Sequence, residues 1–95
     1  MAKQNEVKKR TLDFSECSYI GEVYLTIKNA LELPDWCGNN LDALWDAITG
    51  IMYTPAEIMI KRTAKRKELQ NSIDKIISVF REAEEEYHEI TVLID

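Results

Sequence analysis

Ninety-five residues at 45% hydrophobic and 31% charged content, with three glycines and two prolines, describe a single domain over 1–95 and exclude a collagen-like or disordered chain. The net charge of −5 repels phosphate at long range, so a general nucleic-acid binder is disfavoured and no direct nucleic-acid contact is expected; a basic protein partner is favoured instead.

Residues 7–14 carry a short β-branched and apolar alternation that predicts a first strand, followed by a turn at the polar SECS. Ile20, Tyr24, Ile27 and Leu31 recur at spacings of four, three and four, which predicts a helix with these residues on one face. Ser18 is its expected cap, and Pro34 ends it near Leu33. In DWCGNNLDALWDAITG, Gly38 breaks the chain, Asn39 or Asn40 offers an N-cap and Gly50 a stop, so a second helix with an apolar face of Leu41, Leu44 and Ile48 fits between them. The run AEIMI at 56–60 has the length of a buried strand. A basic stretch, KRTAKRK, follows as a connection with room for a short helix.

Leu69, Ile73, Ile76, Phe80, Ala83 and Tyr87 alternate spacings of four and three, the strongest helical pattern in the chain, with Asp74, Lys75, Glu82 and Glu85 on the opposite face. The final ITVLI predicts a strand, and its near-continuous apolar character predicts burial on both faces. Strands alternating with helices in this way imply an α/β domain with a parallel sheet and right-handed crossovers.

No stretch approaches the roughly 20 apolar residues that cross a bilayer, and the N-terminal MAKQNEVKKR lacks the apolar core of a signal peptide. The chain therefore reads as cytoplasmic, with no membrane partner. Two cysteines, Cys17 and Cys37, without CxxC spacing read as reduced thiols. His88, the one histidine, reads as a solvated turn residue, and Gly21, Gly38 and Gly50 are too far apart for a phosphate loop. No metal, cofactor or catalytic residue is expected. Acid–base catalysis by Asp42 and Asp46 would need a raised pKa, which nothing in the sequence supplies.

The charge is unevenly placed. Residues 29–60 contain no Lys or Arg but five acids, Glu32, Asp35, Asp42, Asp46 and Glu57, whereas 61–67 contain five bases and no acid. Asp42 and Asp46 lie one helical turn apart, with Trp45 about 60° around from Asp42. Asp42 at a helix start is also explained by the helix dipole; Asp46, a turn further in, is not. An aromatic beside two carboxylates in a base-free segment suits recognition of a cationic site, and the same residues also suit an ordinary solvated face. Trp36 and Trp45 fit a core placement too, and Trp36 by itself fits the core better. Lys61, Arg62, Lys65, Arg66 and Lys67 fit a solvated connection or an RNA-binding patch, and Glu84 to Glu86 a solvated helix end.

The stretch LELPDWCGNNLDALWDAITG, with Pro34, Gly38, Asn40, Leu41, Asp42, Ala43, Leu44, Trp45, Asp46 and Gly50, resembles the barstar family of intracellular ribonuclease inhibitors. VFREAEEE at 79–86, followed by the ITVLI strand, is a second match. The resemblance implies an α/β barstar-like fold, a three-stranded parallel sheet packed by helices. It also implies a non-enzymatic protein, a monomer when free, that blocks a small secreted barnase-type ribonuclease with carboxylates standing in for RNA phosphates. By position, Asp46 resembles the family's central aspartate, Asp42 a second carboxylate, Glu82 a third on the neighbouring helix and Glu86 a peripheral charge. Trp36 stands where a tyrosine is common, and Asn40, Trp45, Thr49 and Gly50 fall on the same binding surface. Cys37 and Asn39 replace an aromatic and an acidic residue of the best-known member, and Ile51 replaces a tryptophan. A barstar-like interaction or immunity module for a non-ribonuclease toxin or regulatory partner is the alternative reading.

Overall fold

A computed structural model describes residues 7–61, 63, 64 and 66–95. The first six residues of the N-terminal decapeptide, and Arg62 and Lys65 of the basic run, lie outside them. Strands β1 (Lys8–Asp13), β2 (Ala56–Lys61) and β3 (Ile90–Ile94) form a parallel sheet in the order β1-β2-β3. Helices α1 (Ile20–Leu31) and α2 (Leu41–Gly50) connect β1 to β2, and α3 (Lys67–Glu86) connects β2 to β3. No short helix precedes α3 among the described residues.

The register aligns Leu12 with Ile60 and Ile94, and Arg10 with Ile58 and Val92. Leu12, Ala56, Ile58, Ile60, Ile90 and Val92 are buried on this face. Onto them pack Val23, Ile27 and Leu31 of α1, Leu44, Ala47 and Ile48 of α2, and Ile73, Ile76, Phe80 and Ala83 of α3. Among the described residues no helix covers the opposite face: Thr11 is exposed, Glu57 and Met59 are half-buried, and Leu93 is 40% exposed. The two-sided burial expected of β3 is therefore not found. A sheet that adds strands in one direction through crossovers of one hand places all its helices on one side; covering the second face requires the strand order to reverse.

The ends of α1 also depart from expectation. Its N-cap is Tyr19, not Ser18, and makes no side-chain cap. Glu22, the third helical residue, reaches back instead and accepts the backbone N–H of Ser18, the residue before the N-cap, at 2.6 Å, one position outside the pairing of a capping box. Ile20 is 41% exposed because it sits in the first turn, and Val23 takes its place in the core. At the other end Glu32 adopts left-handed geometry (φ 58°, ψ 43°), which costs a side-chain-bearing residue about 1–2 kcal/mol. Two contacts hold it there: the Leu33 N–H donates to the Lys28 carbonyl at 2.9 Å, and Arg10 Nη1 lies 3.3 Å from Glu32 Oε2.

Helix α2 starts at Asn40, whose Oδ1 accepts the Ala43 N–H at 2.8 Å. This settles the choice between Asn39 and Asn40. The helix ends at Gly50 as expected, though Ile51 caps it in right-handed geometry and no glycine has a positive φ among the described residues. Tyr87 falls just past the end of α3 as its C-cap and is 42% exposed, so the buried stripe stops at Ala83. Both thiols are free and buried, and the Thr54–Pro55 peptide is cis.

Candidate functional site

After β2 the chain brings α3 alongside α2, and Leu44 and Ile48 of α2 share one core with the Ile73, Ile76 and Phe80 stripe of α3. Positions just outside that seam remain open to solvent. There Leu41, Asp42, Trp45 and Asp46 of α2 and Val79 and Glu82 of α3 line an open hollow of about 560 Å³. Asp42, Asp46 and Glu82 are exposed, and Trp45 is half-buried against the core.

Local sequence explains this arrangement. The Asn40 cap fixes where α2 begins, so Asp42 falls in its first turn, where a carboxylate is favoured by the helix dipole. Asp46 follows one turn later, where two like charges cost an isolated helix about 0.2–0.5 kcal/mol. Folding does not account for that pair. On α3, Val79 and Glu82 are three residues apart and share a face. Neither aspartate nor Glu82 makes an ion pair with another described residue. The hollow presents three carboxylates over an apolar floor and no base.

Four of the site residues expected from sequence thus converge: Asp42, Trp45, Asp46 and Glu82. The others do not line this hollow. Trp36 lies in the α1–α2 loop at 75% exposure, which removes the core placement that its type alone favoured. Asn40 is committed through Oδ1 to its cap and borders an adjoining hollow. The Thr49 hydroxyl donates to the Trp45 carbonyl at 2.8 Å, Gly50 is exposed at the end of α2, and Glu86 is exposed at the last residue of α3.

Two contributors were missed. Val79 forms part of the floor, and the three-residue spacing to Glu82 was the available signal. Tyr87 places its ring 6.5 Å from that of Trp45 at 57°, a tilted aromatic pair that supports the indole from behind the end of α3. Assigning Tyr87 to the buried helical stripe concealed this role. Among the described residues, no group of His, Cys, Asp and Glu is arranged to hold a metal ion, and no helix is long and apolar enough to cross a membrane.

Comparison with known proteins matches residues 7–94 to the family described as Barstar (barnase inhibitor). A protein of Bacillus subtilis (strain 168) named "Putative ribonuclease inhibitor YrdF" is 32% identical over 81 residues, which cover 84% of this chain and 89% of that protein.

Proposed function

Because the chain belongs to the barstar family, we propose that it is a proteinaceous ribonuclease inhibitor that occludes the basic active site of a barnase-type ribonuclease. The observation that carries this reading is the hollow between α2 and α3, where carboxylates from two helices meet with no base among them. A ribonuclease cleft must hold RNA phosphates with cationic groups. A rigid surface bearing Asp42, Asp46 and Glu82 offers those groups anions at fixed positions, and its helices are too bulky to leave room for RNA.

Asp46 meets the centre of the cationic cluster, Asp42 and Glu82 flank it, and Trp45 excludes water around the charges so that they act in a lower dielectric. The exposed Trp36 adds a large, rigid aromatic at the edge, and Asn40, Thr49, Gly50 and Glu86 form the rim. No covalent step is involved. Complementary charge also speeds encounter, which suits a cytoplasmic protein that neutralises a bacterium's own toxin before export.

The test is an RNA-cleavage assay with a panel of barnase-type ribonucleases, barnase among them. Stoichiometric loss of cleavage by at least one is expected, with association slowed by added salt. Undiminished cleavage by every nuclease at excess protein overturns the reading.

A further inference from the structure

The carboxylate-lined hollow has a neighbour of opposite character. A second hollow of about 240 Å³ shares Leu41 with it and is bordered by Ile20 and Tyr24 of α1 and by Asn39, Asn40, Ser72 and Lys75. Ser72, Lys75, Val79 and Glu82 are spaced three, four and three residues apart, so one stripe of α3 runs through both hollows.

Lys75 is exposed and has no ion-pair partner among the described residues. The helix supplies none, since the positions three and four away are Asn71, Ser72, Ser78 and Val79. Arg81, the next base along α3, is by contrast held by Glu84 and the Val92 carbonyl. Seven residues separate Lys75 from Glu82, about 10 Å along the axis. That exceeds the Debye length of about 8 Å at physiological ionic strength, so Lys75 and Glu82 are largely screened from one another.

A lone lysine facing a uniformly basic partner would be repelled. We infer that the second hollow is a contact of the same interface and receives an anionic side chain, an aspartate or glutamate, from the rim of the partner's cationic cleft. Lys75 provides the charge. The Ser72 hydroxyl and the Asn39 and Asn40 amides provide neutral donors, Asn40 through its NH2 group because Oδ1 is used by the cap. The partner is thereby narrowed from a basic protein to one with an acid at the rim of its cationic cleft, about 10 Å along α3 from the position that Glu82 meets. The inference rests on the ribonuclease-inhibitor reading.

The sign of one substitution tests it. Against a barnase-type ribonuclease that the protein inhibits, barnase being tried first, Lys75→Glu makes the inhibitor more acidic. If Lys75 merely faces a basic surface, Lys75→Glu tightens binding. If it meets an anion, Lys75→Glu weakens binding about three- to tenfold, while Lys75→Arg retains it. Replacing the partner's rim carboxylate by lysine then restores binding to Lys75→Glu. Tighter or unchanged binding of Lys75→Glu, with Asp46→Ala still weakened, overturns this inference alone. Unchanged binding of Asp46→Ala, or inhibition of no nuclease, overturns the underlying reading and this inference with it.

Discussion

Helix α2 and the C-terminal half of α3 are both acidic, yet their carboxylates serve different ends. Asp42 and Asp46 on α2 engage no base among the described residues. On α3, Glu82 joins them at the hollow, but Glu84, two residues on, is consumed by the fold. Its Oε2 accepts the Val92 N–H at 2.8 Å and its Oε1 accepts Arg81 Nη1 at 3.0 Å, while the same Nη1 donates to the Val92 carbonyl at 3.2 Å. Residues two apart on a helix differ by about 200° in direction, so one glutamate reaches α2 and the other reaches β3. The Arg81–Glu84 pair thus satisfies backbone groups at the edge of the sheet that no strand covers, a position that otherwise invites pairing with another chain. Neighbouring acids of one type acquire separate roles from what lies opposite them.

The largest effect that would break this comparison is at Asp46. Asp46→Ala is expected to weaken inhibition of the target ribonuclease at least roughly thirtyfold, about 2 kcal/mol, the threshold for a dominant interface residue. Stability should not fall, because alanine is the better helix former and the repulsion with Asp42 is relieved. An inhibition titration beside a urea melt measures both. A large loss of stability with unaltered inhibition would place Asp46 with Glu84 as a structural acid, and unaltered inhibition alone would remove it from the interface.

Glu84→Ala should show the converse. Leaving the Val92 N–H without its acceptor costs about 1–3 kcal/mol in the same urea melt, with inhibition per folded molecule unchanged. Glu84→Gln keeps an acceptor for that N–H and should lose less. Equal losses for the two variants would assign the effect to the Arg81 charge pair and not to the strand edge.

These two roles were not equally legible in the sequence. Apolar spacing at three and four located α1 and α3, a short alternation β1, apolar runs of strand length β2 and β3, and the Asn and Gly boundaries with Leu41, Leu44 and Ile48 located α2. These signals could not show that β3 is covered on one side only, because that depends on the strand order and not on the strand's own residues. The Asp42–Trp45–Asp46 cluster was legible as local helical geometry with an unexplained repulsion. Adding Glu82, more than thirty residues away, took resemblance to a family; composition gave it no more prominence than Glu84 or Glu86. Tyr87 behind Trp45 was obscured because a residue just beyond a helix keeps the helical spacing without keeping its burial. The exposed Trp36 shows the reverse error, in which residue type suggests a core position that the loop does not provide.

Asn40 lies between the two categories, as the cap that fixes the start of α2 and as a border of the flanking hollow. Asn40→Ala should cost about 1 kcal/mol of stability by orphaning the Ala43 N–H, whereas Asn40→Asp should keep the cap. If the residue also serves as an amide donor to the partner, Asn40→Asp weakens inhibition without destabilising the fold. A stability loss from Asn40→Asp as large as that from alanine would remove the cap as its structural role.

The smallest expected effect concerns an acid remote from the interface. Asp13, at the end of β1, is held below the ordinary aspartate pKa first by hydrogen bonding with the Ser15 side chain, then by the Ser15 backbone N–H, which donates to Oδ1 at 3.0 Å, and least by Lys61 opposite it in register. A carboxyl whose folded pKa is depressed binds its proton more readily in the unfolded chain. Its contribution to stability is therefore complete above the unfolded pKa and is lost as pH falls through the folded value. Because Asp13 is exposed, solvent screens the contribution to a small one. Asp13→Asn preserves an acceptor for the Ser15 N–H but removes the titration. It should flatten the acid limb of a stability-against-pH curve slightly, by lowering the curve a little above that limb while leaving its acid end unchanged, and not alter inhibition. An acid limb identical to that of the unmodified protein would show that the Ser15 turn does not distinguish the folded carboxylate from the unfolded one.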